Sequence, residues 1–422
     1  MNEDPAERRG HSPTARQKAA RVLHALDPHT IGGIETCFCT YLQHPASREL
    51  DHHVLMLGRR CRPEVAEVVA QHARSAHWAK RWHGVKLPAW PRFLRGWNLG
   101  RILRTVKPDV VVAYNAFGHT RLFMSCLRRG LKIIYYERSE AWQAARTAPM
   151  SDLWPRFHLI LCISHAARRM LELRCGLPQG VARVLYNPIR SDVAAAEPVP
   201  KALVHRRSLR LGVAGRLVPL KGFALALHAL HRLRREGIAA ELHIAGIGPE
   251  EGNLRRLADR LGISAFTRFH GFLSRMAEFY RDTDIFICPS VREPFGNQVA
   301  EASFAGCAVI CAAVDGLPEI VLDGRTGLCV PPTLPLDSYR ESDSKATGFP
   351  EQVYNPSSDA LEPPKLVDPA ILAEKVRYLY EHPDLFAEMG RAAHRLAAEK
   401  FSLNNYMRRY NHVLQFGELA DC

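Results

Sequence analysis

Short apolar runs alternate with segments whose apolar residues recur every three or four positions, and this rhythm covers most of the chain. Val22–Leu26, His53–Leu57, Asp109–Ala113, Lys132–Tyr136 and Leu159–Ile163 read as strands separated by amphipathic helical segments. A second series opens at Leu209–Ala214 and includes Ile285–Cys288. Alternation of this kind predicts α/β architecture with parallel, doubly wound sheets. The Ala- and Pro-rich stretch 191–204 reads as a linker, with the second series beginning near Arg207. The expected division is a flexible tail at 1–18, an N-terminal domain at 19–195, a C-terminal domain at 196–400 and a last helical segment at 401–422. Residues 333–367 are rich in Ser, Asp and Pro and lack periodicity, which predicts a mobile excursion, with a lid or partner surface as the alternative.

Composition narrows the class. A chain of 422 residues with 47% apolar and 24% charged content can bury two ordinary cores. Its longest apolar runs fall far short of the roughly 20 residues that cross a bilayer. Met1–His11 carries charges of both signs and no apolar stretch, so no signal peptide is expected. The 11 cysteines show no CxxC pairing, which predicts reduced thiols and a cytoplasmic protein; Cys37-Phe-Cys39 reads as packing. Residues 1–190 hold 30 Lys/Arg against 14 Asp/Glu, leaving 27 against 29 beyond, so the whole basic excess lies in the first half. All six tryptophans lie there too, and the segment from Trp78 to Trp97 interleaves Lys and Arg with aromatics. Such a surface suits an anionic membrane or a nucleic-acid backbone.

Two constellations carry candidate chemistry. Glu293-Pro-Phe295-Gly296-Asn297-Gln-Val-Ala-Glu301 follows the strand Ile285–Cys288, and its two carboxylates are eight positions apart. Pro294 and Gly296 predict a sharp turn, and a helix is expected to resume at Asn297. The unpaired N–H groups at such a helix start suit an anion, and the carboxylates suit sugar hydroxyls. Upstream, Gly215-Arg216-Leu-Val-Pro-Leu-Lys221-Gly222 follows the strand Leu209–Ala214. Arg216 and Lys221 can there share the charge of a diphosphate at a strand's carboxyl end. Asp282-Thr-Asp284 is formally a DxD metal motif but reads as a helix end, so metal independence and no cofactor are expected. Gly246-Ile-Gly248 opens like a dinucleotide fingerprint, yet position 251 is Glu, which weakens an oxidoreductase reading.

From Gly212 to Pro332, about 120 residues, the chain resembles the donor half of family 4 glycosyltransferases, the group 1 type. The matching text includes Gly215-Arg216…Lys221-Gly222, Ile244-Ala-Gly246-Ile-Gly248-Pro249, Phe269-His270-Gly271-Phe272, Glu293–Glu301, Gly316-Leu-Pro-Glu319 and Gly324-Arg-Thr-Gly327. The resemblance implies a GT-B fold, two Rossmann-like domains facing a central cleft. It implies a retaining transferase that moves a sugar from a nucleoside-diphosphate sugar, most commonly UDP-hexose or UDP-N-acetylhexosamine. The implied acceptor is a saccharide or lipid-linked saccharide of bacterial surface polysaccharide or lipopolysaccharide.

Carried over by position, Arg216 and Lys221 would meet the leaving diphosphate and Glu301 the ribose. Glu293 would meet the transferred sugar, with the amides of Phe295, Gly296 and Asn297 close by. His270, Gly271 and Phe272 would hold the base, and Gly32 and Gly33 would approach the donor phosphate. In the N-terminal domain His119 is the candidate for touching the sugar, with Tyr114 and Glu137 as acceptor-side candidates. The resemblance also favours the anionic inner membrane face over nucleic acid as partner of the basic surface. A nucleotide-sugar epimerase and a non-enzymatic partner subunit of the same fold are the alternatives.

Overall fold

The computed structural model describes residues 19–28, 32–90, 93–143, 150–196, 201, 208–339 and 348–419. The tail at 1–18, His29–Ile31, most of the linker, Arg207 and positions 340–347 of the excursion lie outside the described residues.

The N-terminal lobe is a seven-stranded parallel sheet. Its spatial order runs Ser75–Trp78, Asp51–Met56, Arg21–Leu26, Val110–Tyr114, Lys132–Glu137, Leu159–Cys162, Arg183–Val184. The C-terminal lobe has six strands in the order Thr267–Gly271, Ala240–Ala245, Leu209–Ala214, Ile285–Cys288, Ala308–Ala312, Gly327–Val330. Central strands such as Val110–Tyr114 and Ala308–Ala312 are buried at every position, as helices on both faces require. In each sheet the chain starts at the centre, winds outward, then returns to the first strand's other side. The switch point therefore lies between Arg21–Leu26 and Val110–Tyr114 in one lobe, and between Leu209–Ala214 and Ile285–Cys288 in the other. Ligands of open α/β sheets bind outside the carboxyl ends of the strands at such points.

Local chemistry fixes the helix ends. Ser164 caps His165–Cys175 by accepting from Ala167 N at 2.9 Å, and Gly176 closes that helix in the left-handed region. Asp368 caps Pro369–Glu381 in the same way, with proline at the first helical position. The last helix, Leu403–Phe416, lies against the N-terminal lobe. Tyr410 Oη meets Tyr114 Oη at 2.6 Å, Tyr41 donates to Asn411 at 2.8 Å, and Asn411 donates to Ala46 O at 2.7 Å.

Residues 333–367 depart from the expected aperiodic excursion. Val353–Asn355 and Ala360–Glu362 form an antiparallel hairpin that is gripped by the N-lobe helix His165–Cys175. Arg169 makes a two-pronged contact with Asp359 at 2.8 and 2.9 Å, and Arg174 reaches Glu351 at 3.0 Å. The described part of this segment is a strap between lobes, built from short strands that carry too few residues to show a period.

Candidate functional site

The two loops at the C-lobe switch point are zipped together by backbone. Val291 N donates to Leu220 O at 2.9 Å, and a Cβ at Gly222 would stand 2.2 Å from Pro289 O. Only glycine fits there, and its φ of +66° suits it too. This close approach carries Lys221 onto Glu293, whose carboxylate accepts from the ammonium. Both side chains are mostly shielded, at 18% and 10% exposure. Arg216 is exposed on the same loop.

Beyond Glu293 the chain turns at Gly296, with a φ of +105°, into the helix Asn297–Phe304. The Phe295 side chain is buried among Tyr186 and Phe401, and its Cα packs against Gly316. Asn297 stands at the seam between lobes. It accepts from Asn187 Nδ2 at 2.8 Å, and a Cβ at Gly33 would lie 2.9 Å from its amide nitrogen. Gly33 O accepts from buried Arg138 at 3.2 Å, and Gly32 N donates to Glu35 at 3.0 Å. Thus Gly32 and Gly33 open the N-lobe's first helix directly opposite the C-lobe turn.

Glu301 is buried one turn into its helix and accepts from Tyr280 Oη at 2.8 Å. Burial raises its pKa to about 7, against the pull of Arg190 and the tyrosine hydrogen bond. On the other flank, exposed His270 stacks on His243, with ring nitrogens 3.0 Å apart. Gly271, at φ +67°, accepts from Gly246 N at 2.8 Å, and Phe272 is exposed. Gly246 and Gly248 have a packing reason of their own, since a Cβ would fall 1.8 Å from Gly215 O and 2.3 Å from Leu217 O respectively. His119 ends the short helix Phe117–His119, half-buried; burial, with Lys80, lowers its pKa.

Two candidates are corrected. Tyr114 is turned into the N-lobe interior, hydrogen-bonded to His24 Nδ1 at 2.9 Å and to Tyr410 beneath the last helix. Glu137 is fully buried, accepting from Tyr135 Oη at 2.7 Å and Ala141 N at 3.0 Å. Neither side chain can reach an acceptor, because each already satisfies interior polar groups. Asp282-Thr-Asp284 diverges in space. Asp282 is exposed at a helix end, whereas Asp284 is buried and accepts from Arg210 N at 2.9 Å. Among the described residues no three His, Cys, Asp or Glu side chains group as a metal site.

The sequence reading missed three charged residues at the seam. Arg138 reaches Gly33 across the N-lobe loop. Arg292 is largely buried, its Nε has no hydrogen-bond partner among the described residues, and its charge faces Asp315, Glu293 and Glu137. Asp315 is buried at the crossing of three chain segments. Glu319, quoted only as part of a motif, accepts from His165 N and Ala166 N at 2.8 Å each, binding the C-lobe to an N-lobe helix start.

The family models match one lobe each. Glycosyl transferases group 1 matches residues 201–341, and Glycosyltransferase Family 4 matches residues 31–193. The chain belongs to glycosyltransferase family 4. Among relatives, a D-inositol 3-phosphate glycosyltransferase of Streptomyces bingchenggensis is 36% identical over 139 residues, 30% of this chain and 30% of that protein. The lipopolysaccharide core biosynthesis glycosyltransferase LpsE of Rhizobium meliloti is 34% identical over 116 residues, 28% of this chain and 33% of that one. The matches thus span about a third of the length of these curated relatives. The Anabaena Alr3699/HepE structure in complex with UDP and glucose superposes with a TM-score of 0.72 at 17% identity, covering 94% of this chain and 99% of that one. This family 4 chain therefore has the GT-B fold, and the switch points of its two sheets are the natural walls of its cleft. No helix among its described residues is long and apolar enough to cross a membrane.

Proposed function

We propose that the chain is a retaining glycosyltransferase moving a sugar from a nucleoside-diphosphate sugar, a UDP-hexose or UDP-N-acetylhexosamine, to a saccharide or lipid-linked saccharide acceptor. The observation that carries this reading is the junction of Lys221 with Glu293 at the switch point, beside exposed Arg216 and across from Gly33. Departure of a diphosphate needs positive charge, and Arg216 with Lys221 would supply it. Glu293, which holds the ammonium, also offers acceptor oxygens to the hydroxyls of a sugar placed against the turn. Glu301 would take the ribose hydroxyls, exchanging its Tyr280 partner to do so, and the His270–Phe272 segment would flank the base. The cation pair makes a metal ion unnecessary in this scheme. Retention of anomeric configuration rests on family membership. The similar Anabaena protein in complex with UDP and glucose, and the similar glycosyltransferase of lipopolysaccharide core biosynthesis, support the donor and acceptor classes.

The enzyme would work from the cytoplasmic side, on a membrane surface. Trp90 is 80% exposed and Phe93 69%, and Trp82 and Trp97 stack edge to face 5.3 Å apart beside them. Lys80, Arg81 and Lys86 lie in the same stretch of chain, Arg81 and Lys86 paired across a short hairpin, so aromatics can enter the headgroup layer while neighbouring bases meet anionic lipid.

The test is product formation from UDP-, GDP- and ADP-sugars with lipid-linked acceptors, in EDTA, with the new linkage assigned by NMR. Transfer with retained configuration in EDTA is expected; inversion, a strict metal requirement, or donor isomerisation without an acceptor would overturn the reading. Binding to anionic over neutral vesicles is expected to fall with salt. Equal, negligible binding to both removes the membrane from the proposal.

A further inference from the structure

The loop following the strand Ala308–Ala312 holds a residue in an unusual position. Asp315 is wholly buried and adopts a φ of +48°, a left-handed conformation that aspartate and asparagine tolerate better than other non-glycine residues. Its carboxylate accepts three N–H groups from three separate segments. Oδ2 takes the backbone N–H of Glu293 at 2.9 Å. Oδ1 takes the indole N–H of Trp142, from the N-lobe, at 3.0 Å, and the backbone N–H of Tyr354, from the hairpin, at 2.8 Å. The next residue completes the grip, because Gly316 N donates to Glu293 O at 3.1 Å. Both polar groups of the Glu293 peptide are therefore held by the pair Asp315–Gly316.

We infer that Asp315 is a positioning residue for Glu293, and that through Trp142 and the 353–362 hairpin it ties the placement of that carboxylate to the seating of the N-terminal lobe. The connection is continuous. Arg169 on the N-lobe helix holds Asp359, and Asp359 accepts from Tyr354 Oη at 2.8 Å. Tyr354 N donates to the Asp315 carboxylate at 2.8 Å and Tyr354 O accepts from Asp315 N at 2.9 Å, while Asp315 holds Glu293, which holds Lys221. Three donors meeting at one point need a group that accepts only, with two oxygens, and an ionised carboxylate is the side chain that provides it. Burial raises the Asp315 pKa to about 6, opposed by its three N–H donors and by the facing Arg292 guanidinium, so the carboxylate still carries its charge at neutral pH. An asparagine would keep the volume and the backbone conformation but turn an NH₂ group toward one of the three N–H donors.

The inference rests on the transferase reading only for its kinetic readout. Kinetics are measured for the full chain as wild type, Asp315→Asn, Glu293→Gln and the double variant. Asp315→Asn is expected to lower kcat about 10-fold or more with KM for the donor little changed, since small misplacement of a reacting group is costly. Acting through Glu293, it should add almost nothing in the Glu293→Gln background. Wild-type kcat, or a loss that multiplies with Glu293→Gln, would overturn it. If Asp315→Asn fails to fold, Trp142→Phe replaces it: a smaller loss, about 3-fold, absent in the Glu293→Gln background, is expected, and unchanged kcat overturns the inference. Should wild type transfer no sugar, the functional reading fails separately, and hydrogen exchange decides the positioning role. The Glu293 amide is expected to exchange about 10-fold faster in Asp315→Asn or Trp142→Phe; unchanged exchange contradicts it.

Discussion

Polar residues in the two lobes face opposite ways. In the C-lobe, Lys221, Glu293 and Asp315 sit on loops past the strand ends and gather at the seam between lobes. In the N-lobe, His24, His52, Tyr41 and Tyr114 form an interior network that reaches Tyr410 and Asn411 of the last helix. One set forms and supports a surface between lobes, Asp315 from beneath; the other fastens a helix. The difference shows that a polar residue near a strand's carboxyl end is a site candidate only when its side chain leaves the sheet rather than entering the layer beneath a helix.

This contrast can be broken most sharply at Lys221. Lys221→Ala removes a cation from the loop and leaves Glu293 shielded without its partner, so turnover is expected to fall about 100-fold or more. Steady-state kinetics on the folded variant check this, and near-normal turnover would place the chemistry elsewhere. In the opposite lobe, Tyr114→Phe is expected to leave turnover within about 2-fold while costing about 1–3 kcal/mol of stability, because His24 and Tyr410 lose a buried partner. Chemical denaturation together with kinetics reads both quantities. A large activity loss at unchanged stability would return Tyr114 to the acceptor side.

A smaller effect separates the lobes by pH. Burial raises Glu301 in the C-lobe and Glu140 in the N-lobe from 4.5 to about 7, with the neighbouring charge of Glu137 adding to the rise at Glu140. Each group then binds its proton more tightly folded than unfolded. Its contribution to stability is greatest below pH 4.5 and is lost as pH rises through about 7. Glu140→Gln and Glu301→Gln should each flatten the fall in melting temperature between those limits, and Glu301→Gln alone should also weaken donor binding. A slope that neither variant changes would contradict both burial effects.

Much of the architecture is legible in the chain because strands buried on both faces must be apolar throughout. Val110–Tyr114 and Ile285–Cys288 announce themselves for that reason. Ser75–Trp78 does not, since an edge strand with no buried position has no such constraint. The turn at Glu293–Asn297 is readable from proline and glycine, which act locally. Asp315 is not, because its partners stand 22, 39 and 173 positions away. The same reason hides the interior direction of Tyr114, whose partner Tyr410 lies 296 positions on. Glu137 resembles a site residue until Tyr135, two positions back on its own strand, is seen to point to the same face and donate to it.

The central claim is that Arg216 and Lys221 form a diphosphate site, and thermal unfolding with UDP, GDP and ADP tests it most directly. At a nucleotide concentration 100 times the dissociation constant, the matching diphosphate should stabilise wild type by about 2.7 kcal/mol. That shift should vanish in the Arg216→Ala/Lys221→Ala double variant. No shift with any nucleotide, or the full shift surviving in the double variant, would contradict the account.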